Sequence, residues 1–330
     1  MIRVRRHRRR GQAGFTLIEL MISLVMFSFA VAGVLAVAVA MASGFREQKQ
    51  AIGAESSSRG GMGFLGDAIR GASPGLLGGN SATLETFNTT SGNCPGGAFL
   101  LTDLATGPDD LTAVFAYGSV VTSTRSVFDA GTDTSLDVVD GSQFQANDWI
   151  LVTNYGRGHV VQITTVTANN LTIATGSCTK AVVSTYNAGA LVVRVLRARF
   201  YVATLDGVPT LFMDPDAEGP AVGEPLAEGV EDMQVELGID PAGDGVSEVK
   251  SAANDDEWSG NYVGDSVPLP TDIIRAVRLT LVARSVAPVT GIGNFYRPAA
   301  GNHPVATTPD NFRRRVLFST IEVRNLGGSP

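Results

Sequence analysis

Cysteine and histidine are scarce in this 330-residue chain: there are two cysteines, Cys94 and Cys178, with no CxxC pair, and three histidines. That scarcity excludes zinc-finger, iron–sulfur and c-type haem frameworks. Charge is thin as well. Charged residues make up 17% against 44% hydrophobic, below the quarter usual in soluble domains, and so large an apolar share excludes wholesale disorder. The sequence contains no G-x-S-x-G elbow, no HExxH and no P-loop, the patterns that would announce a serine hydrolase, a zinc protease or a nucleotide hydrolase. His7 lies in the N-terminal leader. A catalytic pairing of His159 or His303 with Cys94 or Cys178 has no support in the spacing, so the histidines read as structural or surface groups and the chain as non-enzymatic, without cofactor. Helix–strand alternation is missing too, which disfavours a parallel α/β sheet. Acid is absent from the start of the chain: no Asp or Glu precedes Glu19, while six arginines (Arg3, Arg5, Arg6, Arg8, Arg9, Arg10) fall in the first ten residues. Without residues 1–14 the chain keeps 19 of its 25 basic side chains against 32 acidic ones, a formal charge of −13. A body so acidic is a poor general binder of phosphates, and nucleic acid is not expected as a primary partner.

What the N-terminus does have is a basic leader, residues 1–14, followed by thirty residues from Phe15 to Gly44 with one charge, Glu19. Between Leu20 and Ala42 lie 23 residues without an ionisable group. At about 1.5 Å per residue, a helix of that length covers the roughly 30 Å hydrocarbon core of a bilayer. Arginines ahead of the span hold the N-terminus in the cytoplasm, so everything after residue 45 is extracytoplasmic. Glu19 is the anomaly. A carboxylate one turn inside a membrane helix is costly, so it either snorkels to the headgroups or marks function.

The string Gly14-Phe15-Thr16-Leu17-Ile18-Glu19, after a basic leader and before an unbroken apolar helix, resembles the type III signal of type IV prepilins and pseudopilins. The resemblance implies cleavage after Gly14 by a membrane aspartyl peptidase, with Phe15 as the new, N-methylated terminus. It also implies that Glu19 pairs with the Phe15 amine of a neighbouring subunit. Glycine suits the cut site because it has no side chain to obstruct an extended backbone, and two charges costly alone in lipid are tolerable together. Three distal segments, Leu226–Asp240, Val277–Ser285 and Arg313–Asn325, resemble PilW-like minor pilins. In one departure, Ala36 stands where many major pilins carry a helix-kinking proline, which favours an accessory subunit. Ala40-Met41-Ala42 is a competing A-x-A-like site from which an ordinary signal peptidase would release a chain starting at Ser43, although the apolar stretch is far longer than a 7–15-residue h-region.

The expected fold is therefore α+β and pilin-like: a leader (1–14), a transmembrane and assembly helix (15–44), a periplasmic half of the same helix (45–73) and a large antiparallel β-rich head (74–330). The expected function is that of a minor pilin priming or capping a type IV pilus, in support of motility, adhesion or DNA uptake. Its partners would be other pilins, the prepilin peptidase, the inner-membrane assembly platform and the lipid bilayer. The J-type pseudopilin of a type II secretion system shares signal and architecture and stands as the alternative. An anchored or secreted enzyme and a surface-binding module are the readings from other classes.

Within the head, Ile52, Phe64, Leu65 and Ile69 are expected on the inner face of the helix, which Ser73-Pro74-Gly75 ends. Gly61-x-Gly63-x-x-Gly66 matches the dinucleotide pattern formally, but no strand precedes it, so close helix–sheet packing is the better reading. Strands are expected at Phe99–Thr102, Thr112–Tyr117, Trp149–Thr153, Val160–Val166, Asn170–Ala174, Ala190–Ala203, Val230–Ile239, Ile273–Arg284 and Arg314–Val323, with loops at 204–229, 240–270 and 287–312. A small inserted β unit is expected at about 130–180, with a hairpin at Asn169-Asn170. Facing an oxidising periplasm, Cys94 and Cys178 are expected to be bridged, closing a loop worth about 4–5 kcal/mol on the chain-entropy account. Asp240 and Asp244 loosely fit a calcium loop, but Ala242 and Ser251 occupy ligand positions and a turn is the better reading. Arg313–Arg315 reads as a strand face paired to nearby acids.

Overall fold

The structure, a computed structural model, describes residues 15–72, 99–104, 106–130, 132–155, 158–174, 185–215, 223–239, 258–260, 274–289 and 294–323. The chain divides into two compact units, Met1–Lys49 and Gln50–Pro330. Helix α1 (Leu17–Arg70) supplies the described apolar stretch of the first unit and opens the second.

In the second unit the helix is held by a stripe of mostly small residues. Ala54, Ser58, Gly61, Leu65, Ala68, Ile69 and Ala72 are buried, at the three- and four-residue spacing of one helix face. The buried Ser58 hydroxyl donates back to the Ala54 carbonyl at 2.8 Å and so carries no unmet hydrogen bond. Two residues expected on the inner face are not there: Ile52 is 67% exposed and Phe64 41%. They fall off the stripe, because glycine and alanine, rather than the larger apolar side chains, let the helix approach the sheet. At Gly61 an added Cβ would meet the Ala227 Cβ at 3.0 Å and a Leu211 methyl at 3.1 Å; at Gly66 it would meet Ile321 at 3.7 Å; at Gly63 nothing lies within 4 Å. The GxGxxG string is thus a packing seam at its first and last positions and open at its middle one. Gly61→Leu should destabilise the head by about 1–3 kcal/mol through overpacking. Gly63→Ala should add up to about 1 kcal/mol from helix propensity alone. Thermal unfolding of the full chain in detergent micelles checks both, and equal shifts in the same direction would contradict the seam.

Fifteen strands follow among the described residues: β1 (Phe99–Thr102), β2 (Asp110–Ser123), β3 (Phe128–Asp129), β4 (Ser135–Asp137), β5 (Trp149–Thr153), β6 (Gly158–Val166), β7 (Asn170–Ile173), β8 (Thr185–Tyr186), β9 (Leu191–Leu205), β10 (Val208–Asp214), β11 (Glu224–Glu228), β12 (Val230–Ile239), β13 (Trp258–Ser259), β14 (Ile274–Arg284) and β15 (Arg314–Glu322). All their pairings are antiparallel, so the protein has the α+β layout of an apolar helix followed by a large antiparallel β head. The larger sheet runs β1-β2-β9-β5-β6-β7-β4, and β10 and β11 continue from β9. Length explains that branch. The 15-residue β9 pairs β2 along one edge, while its other edge takes β5 over Leu191–Val195 and β10 over Arg199–Leu205. The segment expected as an inserted unit is hydrogen-bonded in series onto β9 through β5, so its strands extend the large sheet rather than closing on themselves.

A four-stranded sheet runs β13-β12-β14-β15, and β3 pairs β8 in a two-stranded one. The core face of the four-stranded sheet carries Met233, Val235 and Leu237 from β12, all buried. The expected loop 204–229 is corrected by the structure, since it holds β10 and β11. Its start is a hairpin: Asp206 and Gly207 have φ of 50° and 83°, and Val208 pairs with Leu205. Asp-Gly between two apolar runs is the turn that demands positive φ at both positions. Asn170 likewise opens the second strand of a β6–β7 hairpin closed by the Thr167 amide donating to the Asn170 carbonyl at 2.8 Å. The expected loop 240–270 includes the short strand β13, which pairs β12 at Leu237 and Gly238.

Candidate functional site

The candidate site is the start of α1. Thr16 and Glu19 stand three residues apart, the S/T-x-x-E spacing in which a hydroxyl residue caps a helix and the acid reaches back to it. Both halves of that exchange are present. The Glu19 amide donates to Thr16 Oγ1 at 3.3 Å, and the Thr16 amide and hydroxyl each donate to Glu19 Oε2 at 3.0 Å. The Leu20 amide then donates to the Thr16 carbonyl at 3.2 Å, closing the first turn. A helix start leaves its first amides without intrahelical partners, and in lipid no water would meet them. The Thr16–Glu19 exchange supplies those partners from the chain itself. Phe15 precedes the cap and is 86% exposed. Glu19 thus has an intrachain role that its charge alone does not suggest, and Thr16 is the residue that reading for charge missed; the T-x-x-E spacing was the available signal.

Beyond the cap, Leu17–Ala42 is a 26-residue stretch of mean hydropathy 2.5, none of it buried within the protein. Its length and composition suit a membrane span. Its two hydroxyl residues near the start bond inward, Ser23 to the Glu19 carbonyl and Ser28 to the Val25 carbonyl, both at 2.7 Å. They add no unmet polar group to an apolar surface that includes Ile18, Met21, Ile22, Val25 and Met26.

The other residues singled out from sequence fall elsewhere. Gly14, Cys94, Cys178, Asp240 and Asp244 lie outside the described residues. His159 is buried, with Nδ1 2.5 Å from the Tyr186 hydroxyl and the two rings edge to face at 5.5 Å. His303 sets Nδ1 2.7 Å from Asp232 Oδ2, which also takes a hydrogen bond from Arg297 Nη1 at 2.9 Å. Each histidine is engaged with a structural partner. Arg314 is engaged too: it forks onto Asp310 at 2.6 and 2.5 Å and also donates to Glu231. Its hydrogen bonds hold the Asp310 carboxyl below the usual carboxylate range. The arginine at the centre of the basic triplet is therefore consumed within the head.

Two family models match the sequence. Residues 9–35 match the prokaryotic N-terminal methylation motif, a stretch that brackets Gly14, the Thr16 cap and Glu19. Residues 199–325, from the later part of β9 through β15, match Type IV Pilus-assembly protein W. No curated protein matches the chain. Among solved structures, the Gp54 tailspike of Acinetobacter baumannii bacteriophage AP22, in complex with A. baumannii capsular saccharide, is similar at 18% identity over 26% of this chain, with a TM-score of 0.19. The match spans 15% of the tailspike's own length and carries no argument.

Proposed function

We propose that this type IV pilin-like chain, PilW-like in its distal half, is a minor pilin that enters a type IV pilus and primes or caps it. The observation that carries the reading is one chain holding both a methylation motif over a capped, glutamate-bearing apolar helix and a PilW match across the distal head. Hydrolysis of the Gly14–Phe15 bond would free the Phe15 amine, which methylation leaves cationic. Glu19 is the partner for that charge. Both bonds from Thr16 converge on Oε2, so Oε1 is the oxygen offered to the Phe15 amine of a neighbouring subunit, which sets register as well as attraction. The apolar face then exchanges lipid for the helices of other pilins. Before assembly the chain would cross the inner membrane once, N-terminus in the cytoplasm and head in the periplasm; afterwards it would be extracellular. Residues 74–330 make a bulky head, which suits an end of the filament where fewer neighbours crowd it.

Deleting the gene and restoring the full chain tests this. Surface pili, counted by electron microscopy, should be lost in the deletion strain and return on complementation. Pili at normal number with loss of protein secretion would overturn the reading in favour of a secretion pseudopilin.

A further inference from the structure

Strand β15 ends the four-stranded sheet, with one edge on β14 and no described strand on the other. The Ser285 amide donates to the Arg313 carbonyl and the Val323 amide to the Arg275 carbonyl, both at 2.9 Å. In an antiparallel pair such hydrogen-bonded positions alternate. Odd-numbered residues of β15 therefore bond to β14, and Arg314, Val316, Phe318, Thr320 and Glu322 turn their N–H and C=O groups to the open edge. An open row of this kind is a template for another strand, and proteins normally blunt it with shortness, proline or a bulge. The other strands at the ends of sheets follow that rule: β1 has four residues, β4 three, β3, β8 and β13 two each, and β11 five with Pro225 among them. β15 does not. Its nine residues pair β14 without a register shift, contain no proline, and run uncharged from Val316 to Ile321.

The side chains at the middle of that row are exposed as well: Val316 is 47% and Phe318 62% exposed, with Thr320 exposed beside them. The Phe318 ring lies 5.8 Å from the Arg278 guanidinium, which is itself held by Glu236 at 2.7 Å. We propose that β15 is a self-pairing edge: two copies of the chain join their β15 strands antiparallel about a two-fold axis through Phe318. Only that register sets all five open positions against one another, with two backbone hydrogen bonds to each facing pair. It puts Phe318 against Phe318, Val316 against Thr320 and Arg314 against Glu322. These are aromatic, β-branched and opposite-charge neighbours, the kinds that stabilise paired strands. A second copy is the fitting occupant because the strand starts basic, at Arg313–Arg315, and ends acidic, at Glu322. Antiparallel pairing brings the unlike ends together. Arg314 is already engaged with Asp310 and Glu231, so Glu322 meets the field of that basic end rather than a private ion pair.

The test uses the full chain in a large excess of detergent micelles, with light-scattering mass and amide hydrogen exchange followed across a range of protein concentrations. Leu317 and Ser319, bonded to β14, should be protected throughout. Val316, Phe318 and Thr320 should exchange freely when dilute and gain protection with concentration, about threefold per tenfold rise once the dimer dominates. Thr320→Pro removes an N–H that faces the open edge, a place where strands accept proline. It should keep Leu317 protected and leave a monomer. Should Thr320→Pro fail to fold, Phe318→Lys, which sets a charge on the edge in place of the paired ring, carries the same expectation. A chain monomeric at every concentration, open-edge amides already protected when dilute, or a dimer that survives in the folded variant would each overturn the self-pairing edge.

Discussion

Glu19→Gln should be cleaved, inserted and helical, yet should fail to enter filaments. Two roles converge on this side chain, and the glutamine separates them. Gln is as acceptable as Glu at the third helical position of a capping box, so the exchange with Thr16, at 3.0 and 3.3 Å in the native protein, survives the substitution. The charge does not. Taking one member from a buried ion pair costs roughly 3–5 kcal/mol, because the partner is left charged in a low-dielectric setting. At about 1.4 kcal/mol per tenfold, incorporation of each subunit should drop on the order of a hundredfold or more. Glu19→Ala removes charge and cap together, and should add about 1 kcal/mol of lost capping to the same defect. Thr16→Val is the complementary case: the charge stays while the cap is lost, so assembly should weaken far less than in Glu19→Gln. The readout is the ratio of subunit in sheared filaments to subunit in membranes. Near-normal filament incorporation of Glu19→Gln would mean that Glu19 serves the helix start and not the neighbour.

A second large effect is expected at the cut site. Gly14→Leu should leave uncut precursor in the inner membrane. A protease holds its substrate extended, and only glycine brings no Cβ to the residue beside the scissile bond. Even about 1.4 kcal/mol of misfit at the transition state slows cleavage tenfold. The uncut chain keeps its six leader arginines on the cytoplasmic side, and the Phe15 nitrogen remains a neutral peptide amide with no charge to offer Glu19. Immunoblots of membrane fractions should show the heavier, leader-bearing form and none in filaments.

Much of this was legible in the sequence because the deciding features are local. The apolar run ahead of Ala42 and its lone Glu19 need no tertiary information, and the strand expected at Val230–Ile239 is β12 with the same bounds. Larger-scale features were harder to read. The helix stripe at Ala54, Ser58 and Gly61 is built from small residues whose burial follows from the close approach of Ala227 and Leu211, so reading for large apolar side chains chose Ile52 and Phe64 instead. The strands β10 and β11 were hidden by Pro209 and by a loop-like composition, although Asp206-Gly207 carried the turn signal. Asp109 was invisible as a special residue. Nothing in Pro108-Asp109-Asp110 says that one aspartate is buried against β12 while the next pairs with Arg199, because the partners lie 89 and 126 positions away.

The whole functional account hangs on where the working protein begins. Intact mass and N-terminal sequencing of the chain taken from sheared filaments test it most directly. The expected product starts at an N-methylated Phe15, with residues 1–14 gone and Glu19 four positions further along. A mature chain starting at Ser43, the product of cutting after Ala40-Met41-Ala42, would lack the apolar helix and the glutamate together and would contradict the account.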